Sequence, residues 1–226
     1  MKAPGHVFVT GTDTGVGKTW VAAALLRAHA AAGRRAVGMK PVAAGIDERS
    51  SVNADVAALA AAGNVDSPLA DRNPYAFFEP IAPHIAAQRE GATIDIERVA
   101  QAYARLAARA DVVIVEGAGG VLVPLGPRQD MLDVPKRLAL PVVLVVGVRL
   151  GCLSHALSAE LAVRMRGLRL AGWIATRIDP AMAQADASVA ALRERLPAPL
   201  LADLAGAAAP MPREALRLAG LPGETC

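Results

Sequence analysis

Residues 7–20 read VFVTGTDTGVGKTW, and their order decides the architecture. Val7-Phe8-Val9 is a short apolar run with the character of a buried strand. A glycine-rich loop follows, with Gly11, Gly15 and Gly17, and then Lys18-Thr19 opens a long helix-forming run over Val21–Ala32. Strand, glycine loop and helix in that order form an anion site. Glycines let the backbone approach a phosphate, successive N–H groups make a nest, and the helix N-terminus adds its dipole and free N–H groups. In such a loop Lys18 reaches the β/γ-phosphates and the Thr19 hydroxyl serves Mg²⁺. Gly15, Val16, Gly17, Lys18, Thr19 and Trp20 are therefore candidate nucleotide-binding residues.

The spacing is not the standard G-x-x-x-x-G-K-[ST]. Gly11 stands one residue early and Thr12 takes the usual first-glycine slot. A chance glycine-rich turn is the alternative, and the strand before and helix after the loop argue against it. The loop alone points to a nucleoside triphosphate, not to what is done with it.

Working outward, apolar β-branched runs alternate with Ala/Leu/Arg-rich runs. Strands are expected at Val7–Val9, Ala36–Met39, Val112–Val115, Val142–Val146 and Gly172–Ala175. Helices are expected at Lys18–Ala32, Ala54–Ala62, Ile96–Arg109, Leu153–Arg166 and Ala183–Leu196. Strands this uniformly apolar are buried on both faces, as in a parallel sheet covered by helices. The expected fold class is α/β: a single-domain P-loop NTPase fold over residues 1–226, with a mostly parallel sheet and helices on both faces. Ligands in such sheets sit beyond the carboxyl ends of the strands, so the residues after each strand carry the chemistry.

Lys40 follows the second strand in a chain whose other lysines are Lys2, Lys18 and Lys136. Standing before Pro41 it is held extended. It reads as a fixed positive charge facing an anionic reacting group, or as a solvated strand-end lysine. Glu116 ends the apolar run DVVIVE and meets Gly117, Ala118, Gly119 and Gly120. It resembles an acid that binds Mg²⁺ directly or through water, with a helix-capping carboxylate as the alternative. Asp55 opens a helix after Ser50-Ser51-Val52-Asn53, where an aspartate ordinarily complements the helix dipole. Gly151-Cys152-Leu153-Ser154 opens another helix, whose free N–H groups bind a carboxylate or are simply capped.

Composition narrows the class. The chain has 226 residues, 54% of them hydrophobic, which suits one domain with a large core. No apolar run is long enough to span a membrane, and a strand begins almost at once, so neither a membrane role nor a secretory leader is expected. Cys152 and Cys226 form no metal or redox spacing and fit free thiols in a reducing cytoplasm. His6, His29, His84 and His155 show no metal spacing either, and His84 reads as structural. A net charge of +3 without a basic stripe disfavours nucleic acid. The segment from Ala205 to Cys226 reads as a short helix with a loose end.

With these residues in view, the chain resembles the dethiobiotin synthetase family. The matching stretches are VTGTDTGVGKT, GMKPVAAG, NPYAFFEPIAPHIAAQREG, VVIVEGAGGVLVPL, PVVLVVGVRLGCLSHAL and LAGWIA, with LPAPLL further on. The resemblance implies a reaction. CO₂ forms a carbamate on one amine of 7,8-diaminopelargonic acid, ATP phosphorylates it, and the second amine closes the ureido ring, releasing ADP and phosphate. It implies that Thr19, Asp55 and Glu116 serve Mg²⁺, and that Lys18 and Lys40 are catalytic, Lys40 at the carbamate and its phosphorylated form. It places Gly117, Ala118, Gly119, Thr176 and Arg177 at the nucleotide. It places Thr14 and Ala44 at the substrate, and Leu153 and Ser154 at the substrate carboxylate across a homodimer interface. A cytoplasmic protein without nucleic-acid or membrane partners is implied.

Three positions depart from the family pattern. Ala44 stands where a serine is usual, Thr176 where an asparagine reads the purine, and Ala202-Asp203-Leu204-Ala205 where a Gly-x-x-Pro loop holds the base. A switch ATPase related to septum-positioning or chromosome-partitioning proteins shares fold and loop, but needs a second lysine where this chain has Asp13. An amidotransferase of the cobyrinic-acid type needs a glutaminase domain for which the chain is too short.

Overall fold

The computed structural model describes residues 5–47 and 52–205. Its centre is β1 (Val7–Gly11), buried at every position. The chain continues through α1 (Lys18–Ala31), β2 (Ala36–Met39), β3 (Val42–Ala44), α2 (Ala54–Ala62), α3 (Leu69–Arg72), β4 (Tyr75–Phe77), α4 (Pro83–Arg89) and α5 (Ile96–Ala107). Then come β5 (Val112–Gly120), α6 (Asp133–Leu138), β6 (Val142–Gly147), α7 (Cys152–Met165), β7 (Leu170–Thr176), α8 (Ala185–Arg195) and β8 (Leu200–Leu204).

Six strands form one sheet in the order β2-β5-β1-β6-β7-β8. Every pairing in it is parallel. Side-chain alternation along each strand feeds two cores. On β5, Val112 and Ile114 join Val21, Leu25 and Leu26 of α1 and Leu59 of α2 on one face. Val113 and Val115 join Val99 and Leu106 of α5 on the other, in a core that includes Val163 of α7 and Leu192 of α8. This is why the strands read as unbroken apolar runs: both faces are covered, so neither needs polar residues.

β1 lies between β5 and β6, and the order of the sheet turns there: the chain passes first to β2 on one side and later to β6 on the other. A crevice opens at such a point beyond the carboxyl ends of the strands. The glycine loop sits in it.

The helix and strand expectations hold in place, Ala36–Met39 and Ala54–Ala62 at both ends and the others with one or both ends displaced by one to several residues. β5 runs on through the glycine turn to Gly120 rather than ending at Val115. Three strands escape a reading based on apolar runs. β3 and β4 are three residues each and form a separate parallel pair, Val42 opposite Tyr75. β8 covers Ala202–Leu204, expected as a base-binding loop, and pairs with β7 along the sheet edge. The short helices α3, α4 and α6 were also not expected, because four to seven residues hold too little periodicity to register. Cys226 and the expected C-terminal helix lie outside the described residues, as do Ser50 and Ser51.

Candidate active site

The phosphate loop joins β1 to α1. Gly17 is the N-cap of α1 with φ +89°, a left-handed conformation that favours glycine. No side chain caps this helix start, so its N–H groups remain available to an anion. Gly11 is required by space: a Cβ there would lie 2.6 Å from Val16 Cγ2 and 3.1 Å from Lys18 Cδ. Lys18 is buried, and its Nζ donates to the Asp13 carbonyl at 2.7 Å. Burial and then the neighbouring Lys40 charge pull the Lys18 pKa down to about 8. An ammonium held this way gains from an incoming phosphate, which restores the missing counter-charge.

Four side chains named from sequence meet beside this loop. Thr19, on the first turn of α1, places its Oγ1 2.8 Å from both Asp55 Oδ1 and Glu116 Oε1. Its single hydrogen can serve only one of them at a time. The Lys40 Nζ donates to Asp55 Oδ2 and to Glu116 Oε1, each at 2.6 Å. Lys40 is 5% exposed and Glu116 wholly buried, which excludes a solvated strand-end lysine. Burial works against the Lys40 ammonium, but Glu116 and Asp55 outweigh it and hold its pKa above the ordinary lysine value. Burial likewise opposes ionisation of Glu116 and, despite Lys40, raises its pKa. For Asp55 burial is outweighed by Lys40 and Thr19, and the pKa is lowered.

Asp55 lies in the first turn of α2, where it complements the helix dipole, and it also reaches Thr19 and Lys40. Both readings of the residue hold together. Glu116 is no helix cap; it is the buried continuation of β5.

Two asparagines do positioning that the sequence reading missed. Asn53 is the N-cap of α2: its Oδ1 accepts from the Asp55 N–H at 3.0 Å, and its Nδ2 donates to the Ala44 and Gly45 carbonyls, each at 3.0 Å. It thus ties Asp55 to the segment after Lys40. Asn73 donates from Nδ2 to the Lys40 carbonyl at 2.7 Å and the Tyr75 carbonyl at 2.8 Å, holding Lys40 at the mouth of the β3–β4 pair. An asparagine one position ahead of a helix was the available signal for Asn53. Asn73 carries none, because the partner that matters to the site, the Lys40 carbonyl, is 33 residues away in the chain.

Oxygen donors for a hard cation are present. Thr19, Asp55 and Glu116 converge, and Glu116 Oε2 is buried with no hydrogen-bond partner. An orphaned carboxylate oxygen is the feature a bound cation would satisfy. Among the described residues no cluster of three or more His, Cys, Asp or Glu forms a metal cage. Mg²⁺ needs none, since it typically takes one or two carboxylates along with substrate phosphates and waters.

The remaining candidates surround this centre. Thr14 is exposed at the loop tip, and a Cβ built on Gly119 would lie 3.6 Å from its Oγ1, so loop and β5 turn face each other. Gly117 and Ala118 continue β5 towards the same turn. Val16 is buried under the loop and Trp20 packs on the α1 core. Ala44 ends β3 half-buried. Leu153 and Ser154 lie exposed in the first turn of α7, away from the Lys40 cluster in contacts but linked to the loop, because Arg149 just before that helix pairs with Asp13.

At the other end, Thr176 is 4% exposed and its hydroxyl lies 2.7 Å from the Val16 carbonyl and 3.1 Å from that of Val146. The Arg177 guanidinium is held by Asp203 at 2.7 Å and Asp186 at 2.6 Å. A cavity of about 340 Å³ opens beyond β7, lined by Arg177, Asp179, Pro180, Met182 and Gln184 among others.

Comparison with known proteins places the chain among relatives. A family model described as an AAA domain matches residues 5–207. The MinD cell division protein of Aquifex aeolicus, alone and in complex with MinC, superposes with TM-scores of 0.54 and 0.55. The coverage is 95% of this chain and 86% and 85% of those chains, at 16% and 18% identity. At that identity the likeness concerns the fold alone. The ATP-dependent dethiobiotin synthetase BioD of Aromatoleum aromaticum is 52% identical over 225 residues, covering 99% of this chain and 100% of that protein. At that identity over the length of both proteins, the chain belongs to the ATP-dependent dethiobiotin synthetase family.

Proposed function

We propose that this chain uses ATP to close the ureido ring of dethiobiotin from 7,8-diaminopelargonic acid and CO₂. The observation that carries the reading is the buried Lys40 ammonium, set between Asp55 and Glu116 and one side chain from Thr19. A switch ATPase takes its second lysine from the loop itself, where this chain has Asp13; here the second lysine comes from the β2–β3 corner.

The steps balance without a covalent enzyme intermediate. One substrate amine attacks CO₂ and loses a proton, giving a carbamate. A carbamate oxygen attacks the γ-phosphorus of ATP, ADP leaves, and a carbamic-phosphoric anhydride forms. The second amine attacks its carbonyl carbon, the C–O bond to phosphate breaks, the amine's proton leaves to the departing phosphate or solvent, and the ring closes. Negative charge gathers on carbamate and phosphoryl oxygens throughout, so catalysis requires preorganised positive charge and donors. Lys18 and the N–H groups from Gly15 to Thr19 hold the phosphates. Lys40 faces the carbamate, its charge maintained by Asp55 and Glu116. Asn53 holds Asp55 and Asn73 holds Lys40 in place. Thr19, Asp55 and Glu116 are the residues that would hold Mg²⁺, which when bound neutralises charge on the phosphates.

Thr14 and Ala44 line the diamine, and the cavity beyond β7 suits the base, with Gly117–Gly119, Thr176 and Arg177 bordering the nucleotide. The start of α7 at Leu153 and Ser154 takes the substrate carboxylate of a neighbouring subunit. In support of a homodimer, Leu150, Leu153, Leu161 and Met165 leave an apolar stripe on and before α7, with Leu150 90% exposed. The protein acts as one domain over 1–226, in the cytoplasm; no helix among the described residues is long and apolar enough to cross a membrane.

The test is incubation with ATP, Mg²⁺, labelled bicarbonate and the diamine, followed by product mass and ADP release. ADP release should require both the diamine and CO₂, and the label should appear in the ring. ATP hydrolysis indifferent to the diamine would sink the synthetase reading in favour of a switch ATPase.

A further inference from the structure

Thr176 ends β7, and β7 is separated from β1 by β6. Its hydroxyl nevertheless reaches the phosphate loop. Oγ1 is 2.7 Å from the carbonyl of Val16, inside the loop, and 3.1 Å from that of Val146, on the intervening strand. A hydroxyl has one hydrogen to donate, and the shorter contact gives it to Val16. With the residue 4% exposed, that hydrogen is engaged within the protein.

The consequence lies in the next peptide unit. The Val16–Gly17 peptide is trans, like every other described, and planar, so its C=O and N–H point in opposite directions. A carbonyl fixed towards β7 aims the Gly17 N–H away from it. Gly17 has φ +89° and no side-chain cap, so nothing on the residue itself sets that direction. The Thr176 methyl sits beneath it: a Cβ built on Gly17 would lie 3.5 Å from Thr176 Cγ2. Because threonine is β-branched, its χ1 is stiff, and its hydroxyl direction follows from the backbone of β7.

We infer that Thr176 is a positioning residue of the phosphate loop, anchoring the Val16 carbonyl so that the Gly17 N–H faces the triphosphate, and not a reader of the base. The inference rests on the reading of the loop as a triphosphate site. It makes a distinctive demand: loss of the hydroxyl is felt equally by every nucleotide and by a base-free polyphosphate.

The experiment uses the full chain with Thr176→Val, close in shape but without the hydroxyl, and Thr176→Ser, which keeps it. Dissociation constants are measured for MgATP, MgGTP, MgCTP and the Mg²⁺ complex of inorganic tripolyphosphate, with steady-state kinetics alongside. One hydrogen bond's worth of orientation corresponds to roughly five- to tenfold in affinity. Thr176→Val is expected to weaken all four ligands by that common factor, raising KM for ATP while kcat stays within about twofold. Thr176→Ser is expected to bind all four within about threefold of wild type. If Thr176→Val does not fold, Thr176→Ala read against Thr176→Ser carries the same comparison. Unchanged tripolyphosphate binding in the hydroxyl-free variant, or a loss confined to one base, overturns the assignment while leaving the triphosphate reading standing. A wild-type chain that binds neither MgATP nor tripolyphosphate overturns both.

Discussion

Replacing Lys40 by glutamine tests the centre of the site. The variant is one bond shorter, keeps an N–H donor and removes the charge. In the protein as it stands, Lys40 is 2.6 Å from each of two carboxylates, one wholly buried and the other with a side chain 41% exposed. Removing one partner of a buried pair costs about 3–5 kcal/mol because a charge is left uncompensated. The exposed Asp55 is partly screened by water, so the low end applies, about 3 kcal/mol, carried mostly by Glu116. For a domain of this size that corresponds to a fall in Tm of about 6–12 °C. Turnover should fall further than stability alone would suggest. Losing one preorganised charge donor to a developing oxyanion costs about 10²–10³-fold in kcat. Nucleotide affinity should stay within about threefold, since the phosphate contacts come from the loop. Calorimetry of the free protein, ADP release under saturating substrates and direct titration with MgATP separate the three quantities. Near-normal turnover with a lowered Tm would make Lys40 a charge balance for Asp55 and Glu116 and remove it from the mechanism.

Glu116→Gln and Asp55→Asn should each raise the Mg²⁺ concentration for half-maximal activity about tenfold or more, since a hard cation needs carboxylate oxygens; if Asp55→Asn responds like wild type, the residue serves only the dipole of α2. His29 is wholly buried with neither ring nitrogen bonded, and burial and then Arg34 lower its pKa to about 4. The unfolded chain, with a value near 6.5, binds the extra proton first, so stability is full above about pH 6.5 and is lost as pH falls towards 4, by at most about 3 kcal/mol. Urea titrations of His29→Leu should show that loss removed over this window; an undiminished loss would place the acid sensitivity elsewhere. Mixing Lys40→Gln with Ser154→Trp should restore about a quarter of wild-type activity, because half the dimers are hybrids and each hybrid carries one intact site. No recovery despite verified subunit exchange would mean that each site is built within one chain.

Much of this molecule was legible in residues near one another. The strand, glycine loop and helix of 7–31 follow from apolar pattern and glycine placement alone, because those signals are local, even though β1 hydrogen-bonds to β5 and β6 more than 100 residues away. The five expected strands followed from the same rule, as burial on both faces leaves an unbroken apolar record. β3, β4 and β8 were not read from it. β3 (VAA) and β4 (YAF) are apolar but three residues each, too short to register as runs, and β8 (LLADL), apolar at four of five positions, was assigned in part to a base-binding loop by the resemblance.

For the site, the sequence by itself determined the anion-binding loop, the residue types able to serve phosphate and metal, and the family resemblance. It could not choose between a solvated and a buried Lys40, or between a capping and a functional Asp55. Those choices depend on partners 15, 36, 76 and 97 residues apart in the chain. The tertiary structure alone decided them, by bringing β2, α2 and β5 to the mouth of β1. It also decided the direction of Thr176, whose hydroxyl meets a carbonyl 160 residues away. The physical reason is the same in each case. A charge or a hydroxyl acquires its role from what replaces its water on burial, and that replacement is supplied by strands the sheet makes neighbours, not by residues the chain makes adjacent.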